Sequence, residues 1–262
     1  MASGLTALLL TCNEEDNLVR TLTALAPLVP VLEQVVLVDS GSTDQTLDLA
    51  RRHVPGGVAL VVLQRPFDTF AAQWNFGLAQ VHSTWVLSLD ADYCLTEALA
   101  QELLAAMATA PPDLAGFAVA FRYCVAGRPL AGALLPPRVA LFRPALGRYR
   151  DDGHTQRLVL NGRVGRLRQP MHHDDRKPLE RWLSAQLRYL RQERDKLRSR
   201  RWRQLSAADR LRKHTPLAPL AVGLLCLVGR GNLWEGRRGL FYAAQRVYAE
   251  LLLLLLLLEP VG

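Results

Sequence analysis

The chain has 262 residues, a formal net charge of +8 and 50% apolar residues, a composition that suits a folded globular chain and argues against a disordered one. Four widely spaced cysteines, Cys12, Cys94, Cys124 and Cys226, form no CxxC pair and argue against a zinc knuckle or disulfide scaffold. The start lacks the basic residues and long apolar run of a secretion signal, so reduced thiols and a cytoplasmic setting are expected.

The charge is unevenly spread. Residues 1–100 hold 4 Lys/Arg against 11 Asp/Glu, a net −7, whereas residues 176–214 hold 14 against 4, a net +10. The two ends therefore call for separate readings.

In chain order, residues 7–10 predict a first strand and 17–26 a helix. Residues 35–38 predict a second strand ending at Asp39, followed by a Gly41-Ser42-Thr43 turn and a helix capped by Asp44 and running to about His53. Residues 58–63 predict a third strand and 70–80 a helix. Residues 85–89 predict a fourth strand ending at Asp90, and 96–109 a helix capped by Thr96. Alternating strands and helices imply a doubly wound, mostly parallel sheet with ligands at the carboxyl ends of its strands. Residues 117–124 and 139–142 read as strands, and 157–167 as a hairpin turning at Asn161-Gly162. Residues 178–202 predict a long basic helix, 215–229 an uncharged apolar segment, and 251–258 are eight consecutive leucines.

Three strand ends carry chemistry. Asp90-Ala91-Asp92 places two carboxylates two residues apart, where they can hold a divalent cation that shares its shell with phosphate. Asp39-Ser40-Gly41-Ser42-Thr43-Asp44 joins a carboxylate to a tight turn whose backbone N–H groups can face a ligand. Thr11-Cys12-Asn13-Glu14-Glu15 follows the first strand. Farther on, His172-His173-Asp174-Asp175-Arg176-Lys177 offers His173 as a third metal ligand. It also offers Arg176 and Lys177 as cations for a departing diphosphate.

These motifs, in this order, resemble the family-2 glycosyltransferases. With Arg65-Pro66 and Gln73-Trp74-Asn75-Phe76 they most resemble the lipopolysaccharide-core glucosyltransferases. The resemblance implies an α/β fold of the GT-A kind, doubly wound and mostly parallel, with a helical C-terminal extension. It implies an inverting transfer of a hexose from a nucleotide-sugar donor to a saccharide or lipid-linked acceptor of the cell envelope. Asn13 and Glu14 would line the nucleotide site, Asp39 would meet the base or ribose, and Arg65 and Asn75 would lie near the donor. Asp90 and Asp92 would hold the donor diphosphate through Mg²⁺ or Mn²⁺. Trp74 stands where the family carries a basic residue, and Thr155 where the subgroup has a Glu after its His. The general base is therefore sought in Asp152, with Asp151 and His154 as alternatives.

The expected division is a nucleotide-sugar-binding, catalytic domain over residues 1–175 and a basic, apolar helical extension over residues 176–262. The basic stretch beside apolar segments too short to span a bilayer alone points to peripheral contact with the inner face of the cytoplasmic membrane. Nucleic acid is the weaker partner, because no nucleic-acid motif accompanies the charge. A non-catalytic nucleotide-sugar-binding homologue is the alternative that the departures at Trp74 and Thr155 raise.

Overall fold

The structure, a computed structural model, describes residues 4–152 and 155–260. Two compact units divide the chain. The first takes the chain to Cys124, then Leu135–Asp151 and Thr155–Arg176; the second takes Val125–Leu134, Asp152 and the chain from Lys177 onward.

The strands are β1 (Leu5–Thr11), β2 (Leu32–Asp39), β3 (Ala59–Gln64), β4 (Trp85–Asp90), β5 (Tyr93–Cys94), β6 (Leu114–Val119), β7 (Phe121–Val125), β8 (Arg128–Pro129), β9 (Arg138–Phe142), β10 (Gly147–Asp152), β11 (Thr155–Leu160), β12 (Arg163–Arg166) and β13 (Met171–His173). Seven of them form the main sheet of the first unit in the order β12-β6-β9-β4-β1-β2-β3. Only β9 runs antiparallel to its neighbours.

Helices cover both faces, which is why the central strands are apolar without alternation. Leu5, Ala7 and Leu9 of β1 pack with α1 (Leu18–Thr23), α2 (Thr46–His53) and α4 (Glu97–Thr109). Leu8, together with Val36 and Val38 of β2, turns to the other face and meets α3 (Phe70–Leu78) through Ala71 and Trp74. Thr96 caps α4 as expected, accepting a hydrogen bond from Leu99 N at 3.1 Å. Asp44 acts one residue earlier than a formal cap, accepting from Thr46 N at 2.9 Å before α2 begins.

Two expectations need correction. The 157–167 hairpin does not form. β11 pairs with β10, while β12 crosses to the main sheet and runs parallel to β6. Asn161-Gly162 supplies the crossover, with Asn161 N donating to Leu146 O at 2.9 Å and Arg163 N to Asp113 O at 3.3 Å. The turn signal is local, and the choice of strand partner is set by distant chain. Residues 117–124 are also not one strand: β6 ends at Val119, and β7 joins a separate small sheet with β13 and β5.

The second unit is helical, with α5 (Leu179–Ser199), α6 (Ala207–His214), α7 (Ala218–Leu224) and α8 (Gly236–Leu258). A single turn of π-helix, Leu225–Gly229, prolongs α7. The eight leucines end a 23-residue helix and are not a separate segment. Leu253 packs with Leu197 and Leu205 in a small core.

Candidate functional site

The register of the parallel strands brings the three motifs to one edge. Thr11 pairs with Asp39, and Leu10 with Asp90, so the loops after β1, β2 and β4 leave the sheet at the same level. This is the carboxyl edge, where doubly wound sheets bind ligands.

The first two loops are stapled together. Asn13 adopts a left-handed backbone with φ of 55°, a conformation that Asn tolerates better than most residues. Its Oδ1 accepts from Thr43 N at 2.7 Å, and its N donates to Ser42 Oγ at 2.8 Å. Glu14 N donates to Thr46 Oγ1, and Glu15 Oε2 accepts from Gln45 N. Asp39 is fully buried. Its carboxylate accepts from Thr11 Oγ1 at 3.0 Å, Gly41 N at 3.0 Å, Ser42 N at 2.8 Å and Ser42 Oγ at 2.5 Å. Gly41, at φ of 85°, makes that wrap possible. In this structure the Asp39 carboxylate holds its own loop together.

Arg65 and Asn75 are similarly engaged. Arg65 forms a bidentate pair with Asp68 at 2.8 and 2.6 Å and donates to Gln73 Oε1 at 2.9 Å. That pair holds the Asp68 carboxyl well below the usual carboxylate range, chiefly through the Arg65 hydrogen bonds. Gln73, fully buried, donates to Ser40 Oγ and so ties the start of α3 to the Asp39 loop. Asn75 spends its amide on the backbone of Tyr149, donating to the carbonyl at 2.9 Å and accepting from the N–H at 3.0 Å. These bonds fix β10 to α3. Trp74, where a cation was expected, is buried and stacks on the Tyr149 ring at 5.3 Å.

Asp92 and His173 meet just beyond β4, near enough to Asp90 for its charge to act on both. Antiparallel pairing of β5 with β13 sets His173 opposite Tyr93. His173 Nε2 then lies 3.1 Å from Asp92 Oδ2. The pairing extends through Asp174 N, which donates to Asp92 O at 2.9 Å. The His173 ring sits edge-on to Tyr93 and Tyr123, at 5.2 Å from each. Burial, and then repulsion from Asp92, push the Asp90 carboxyl above its ordinary value, while Arg138 and the Tyr93 hydroxyl oppose the shift. Burial lowers the His173 imidazole, but the Asp92 and Asp90 carboxylates outweigh it and raise it on balance. Two carboxylates this close, with one imidazole between aromatic walls, favour a cation. His173 Nδ1 is buried and makes no hydrogen bond among the described residues. No group of three or more His, Cys, Asp or Glu forms a ready-made cage among the described residues. An ion here would complete its shell with ligand oxygens and water, as Mg²⁺ and Mn²⁺ commonly do. Within those limits the donor set fits such an ion.

Residues 6–143 match Glycosyl transferase family 2, over more than half of the chain. The chain belongs to this family. A relative, the lipopolysaccharide core biosynthesis glycosyltransferase LpsC of Rhizobium meliloti (strain 1021), is 30% identical over 167 residues. That match covers 63% of this chain and 60% of the relative's length. The mannosyltransferase PcManGT of Pyrobaculum calidifontis, solved with GDP-Man and Mn²⁺, superposes with a TM-score of 0.58 at 15% identity. The superposition covers 97% of this chain and 87% of that one. S. aureus TarS 1-349 with UDP-GlcNAc gives 0.55 at 15% identity, over 94% and 90%. Both are GT-A glycosyltransferases, and the chain shares their α/β fold.

Set within this family, a further network comes to light that the motifs did not reveal. Asn17, fully buried, donates from Nδ2 to Glu14 Oε2 and to Asp175 Oδ1, both at 3.0 Å. Its Oδ1 accepts from Arg176 N and from the Arg20 guanidinium. Arg176 grips Asp174 with two bonds of 2.8 Å, and Arg20 lies 3.5 Å from the same carboxylate. The network joins the loop after β1 to the segment after β13, more than 150 residues later. Only the helical spacing of Asn17 and Arg20 marks them in the sequence. Arg176 is thus committed to Asp174, although its side chain stays partly exposed.

Asp151 is exposed at the end of β10. Asp152, in the second unit, accepts from Arg200 at 2.9 Å. His154 lies outside the described residues. Lys177 begins the last stretch of the second unit.

Proposed function

We propose that the chain is a metal-dependent, inverting glycosyltransferase that moves a hexose from a nucleotide-sugar donor. The acceptor is a saccharide or lipid-linked glycan of lipopolysaccharide-like envelope synthesis, met at the inner face of the cytoplasmic membrane. The observation that carries this reading is the set of three loops leaving β1, β2 and β4 at one level, with Asp92 held against His173. Family membership and the likeness to LpsC support it, and so do the fold relatives solved with GDP-Man and with UDP-GlcNAc.

In this reading the stapled loops after β1 and β2 present backbone N–H groups and Glu14 to the nucleotide. Asp90, Asp92 and His173 would hold Mg²⁺ or Mn²⁺, with the donor diphosphate sharing its shell. Such an ion, when bound, supplies Lewis-acid stabilisation of negative charge on the leaving group. An acceptor hydroxyl attacks the anomeric carbon as the bond from that carbon to the phosphate oxygen breaks. The hydroxyl proton passes to a carboxylate, for which we choose Asp152, with its neighbour Asp151 as the alternative. Arg176, released in part from Asp174, adds positive charge near the diphosphate.

Donor hydrolysis and transfer, together with the Mn²⁺-dependent rise in melting temperature with UDP or GDP, test the reading. Asp92→Ala is expected to lose both the Mn²⁺-dependent rise and at least ~100-fold of turnover, the scale at which charge-stabilising groups act. Asp152→Asn is expected to keep the thermal rise and lose transfer. Full activity of Asp92→Ala in excess metal would remove the metal site. Tight donor binding by the wild type, without turnover on any envelope acceptor, would favour a non-catalytic binding homologue.

A further inference from the structure

The long helix of the second unit is apolar on more than its buried side. On α8 the buried side holds Tyr242, Ala243, Leu253 and Leu256 and also takes in Gln245 and Glu250, the latter gripped by Arg212 at 2.6 Å. Beyond Arg237 the side left exposed is also apolar, with Phe241, Tyr248, Leu251, Leu255 and Leu258 recurring at helical spacing. A surface helix of a water-soluble chain carries charged and polar residues on its outer side instead.

α7 and its π-turn repeat the pattern. Leu220, Leu224 and Val228 are exposed at helical spacing, while Ala218 and Cys226 are buried. No charged residue interrupts residues 215–229. α7 lies close along α8: a Cβ added at Gly223 would come within 3.2 Å of Val247. The connection between the helices projects Trp234, 88% exposed, beside exposed Arg230 and Arg237.

We infer that this α7–α8 face is a monotopic docking surface for an anionic bilayer. It lies in the plane of the headgroup and acyl boundary. The inference rests on the membrane placement proposed above and assigns it to a surface. Exposed apolar stripes supply burial at roughly 25 cal/mol per Å². Trp at the level of the headgroups, with flanking Arg, is the arrangement that interfaces favour. α8 with the turn before it, Asn232–Leu258, is long and apolar enough to cross a bilayer. Spanning would carry Arg246 and the Arg212–Glu250 pair through hydrocarbon, and inserting the connection first would bury Arg230, Glu235, Arg237 and Arg238. The charge at both ends of the helix pair is satisfied when the pair lies flat.

Flotation with liposomes tests the surface. Vesicles of phosphatidylcholine alone are compared with vesicles containing phosphatidylglycerol, and donor hydrolysis is read on the same protein without lipid. The wild type is expected to float at least 10-fold better with the anionic vesicles and to be released by alkaline carbonate. Trp234→Ala and Leu255→Glu, both at exposed positions, are expected to lose flotation with circular dichroism and hydrolysis unchanged. Arg230→Glu with Arg237→Glu is expected to lose the preference for anionic lipid. Resistance to carbonate would overturn the flat placement in favour of a spanning helix. A dimer in solution that Leu255→Glu dissociates, with no flotation of the wild type, would assign the face to a second copy of this chain. Absent hydrolysis with intact flotation would count against the proposed activity alone.

Discussion

Asn13 concentrates at one residue what joins the first two loops. Its left-handed φ of 55° and its Oδ1 contact to Thr43 N are both needed. Asn13→Ala removes the acceptor and places a Cβ-bearing residue without a local hydrogen bond in a region that costs it about 1–2 kcal/mol. Asn13→Gly removes the same acceptor and relieves the backbone. Both are expected to lower the melting temperature and the affinity for UDP or GDP with Mn²⁺, the alanine variant more than the glycine variant by about 1 kcal/mol. Equal stability of the three proteins in thermal melts would remove the staple. At this scale the sequence singled out residues whose partners in the fold it could not name. Asp39 was legible in a strand-end motif, and Trp74 and Asn75 through the family resemblance of residues 73–76. That Asp39 would spend its carboxylate on its own loop, Asn75 its amide on Tyr149, and Trp74 its ring on Tyr149 depends on chain as many as 75 residues away.

Strands and helices were legible where burial on two faces makes a continuous apolar run, as in β1, β2 and β4, and where a cap is local, as at Thr96. They were not legible where partner choice is nonlocal. β5 and β13 have only two and three residues, yet their pairing is what brings His173 to Asp92. Asn161-Gly162 satisfies every local requirement of a hairpin and serves a crossover instead. Gly162, at φ of 141°, has Ala115 Cβ only 2.8 Å from where its own Cβ would stand. Gly162→Ala is therefore expected to cost about 2 kcal/mol through strain and overpacking, or some 4–8 °C in melting temperature for a chain of this size. Exposed Asn161→Ala should cost less than about 0.5 kcal/mol, the usual range for a surface change. A two-residue hairpin turn would make Asn161 matter as well, so comparable losses in both variants would restore the hairpin.

At the scale of the whole molecule, the net +8 dissolves into two demands. The −7 of residues 1–100 includes Asp90 and Asp92, whose mutual repulsion a bound cation would offset. The +10 of residues 176–214 is partly spent within the second unit, on Glu250 through Arg212 and on Asp152 through Arg200. What remains exposed is neighboured in sequence by the apolar stretch 215–229. Two different ligands should then protect two different parts of the chain, since each stabilises only what it binds. Hydrogen exchange is expected to slow in residues 11–15, 39–46 and 90–94 when UDP or GDP is added with Mn²⁺. Anionic vesicles are expected to slow residues 217–235 and leave those loops unchanged. Protection by nucleotide centred on residues 179–214 would instead place the anion site on the basic helices, and the carboxylate cluster at the end of β4 would lose its claim to the donor.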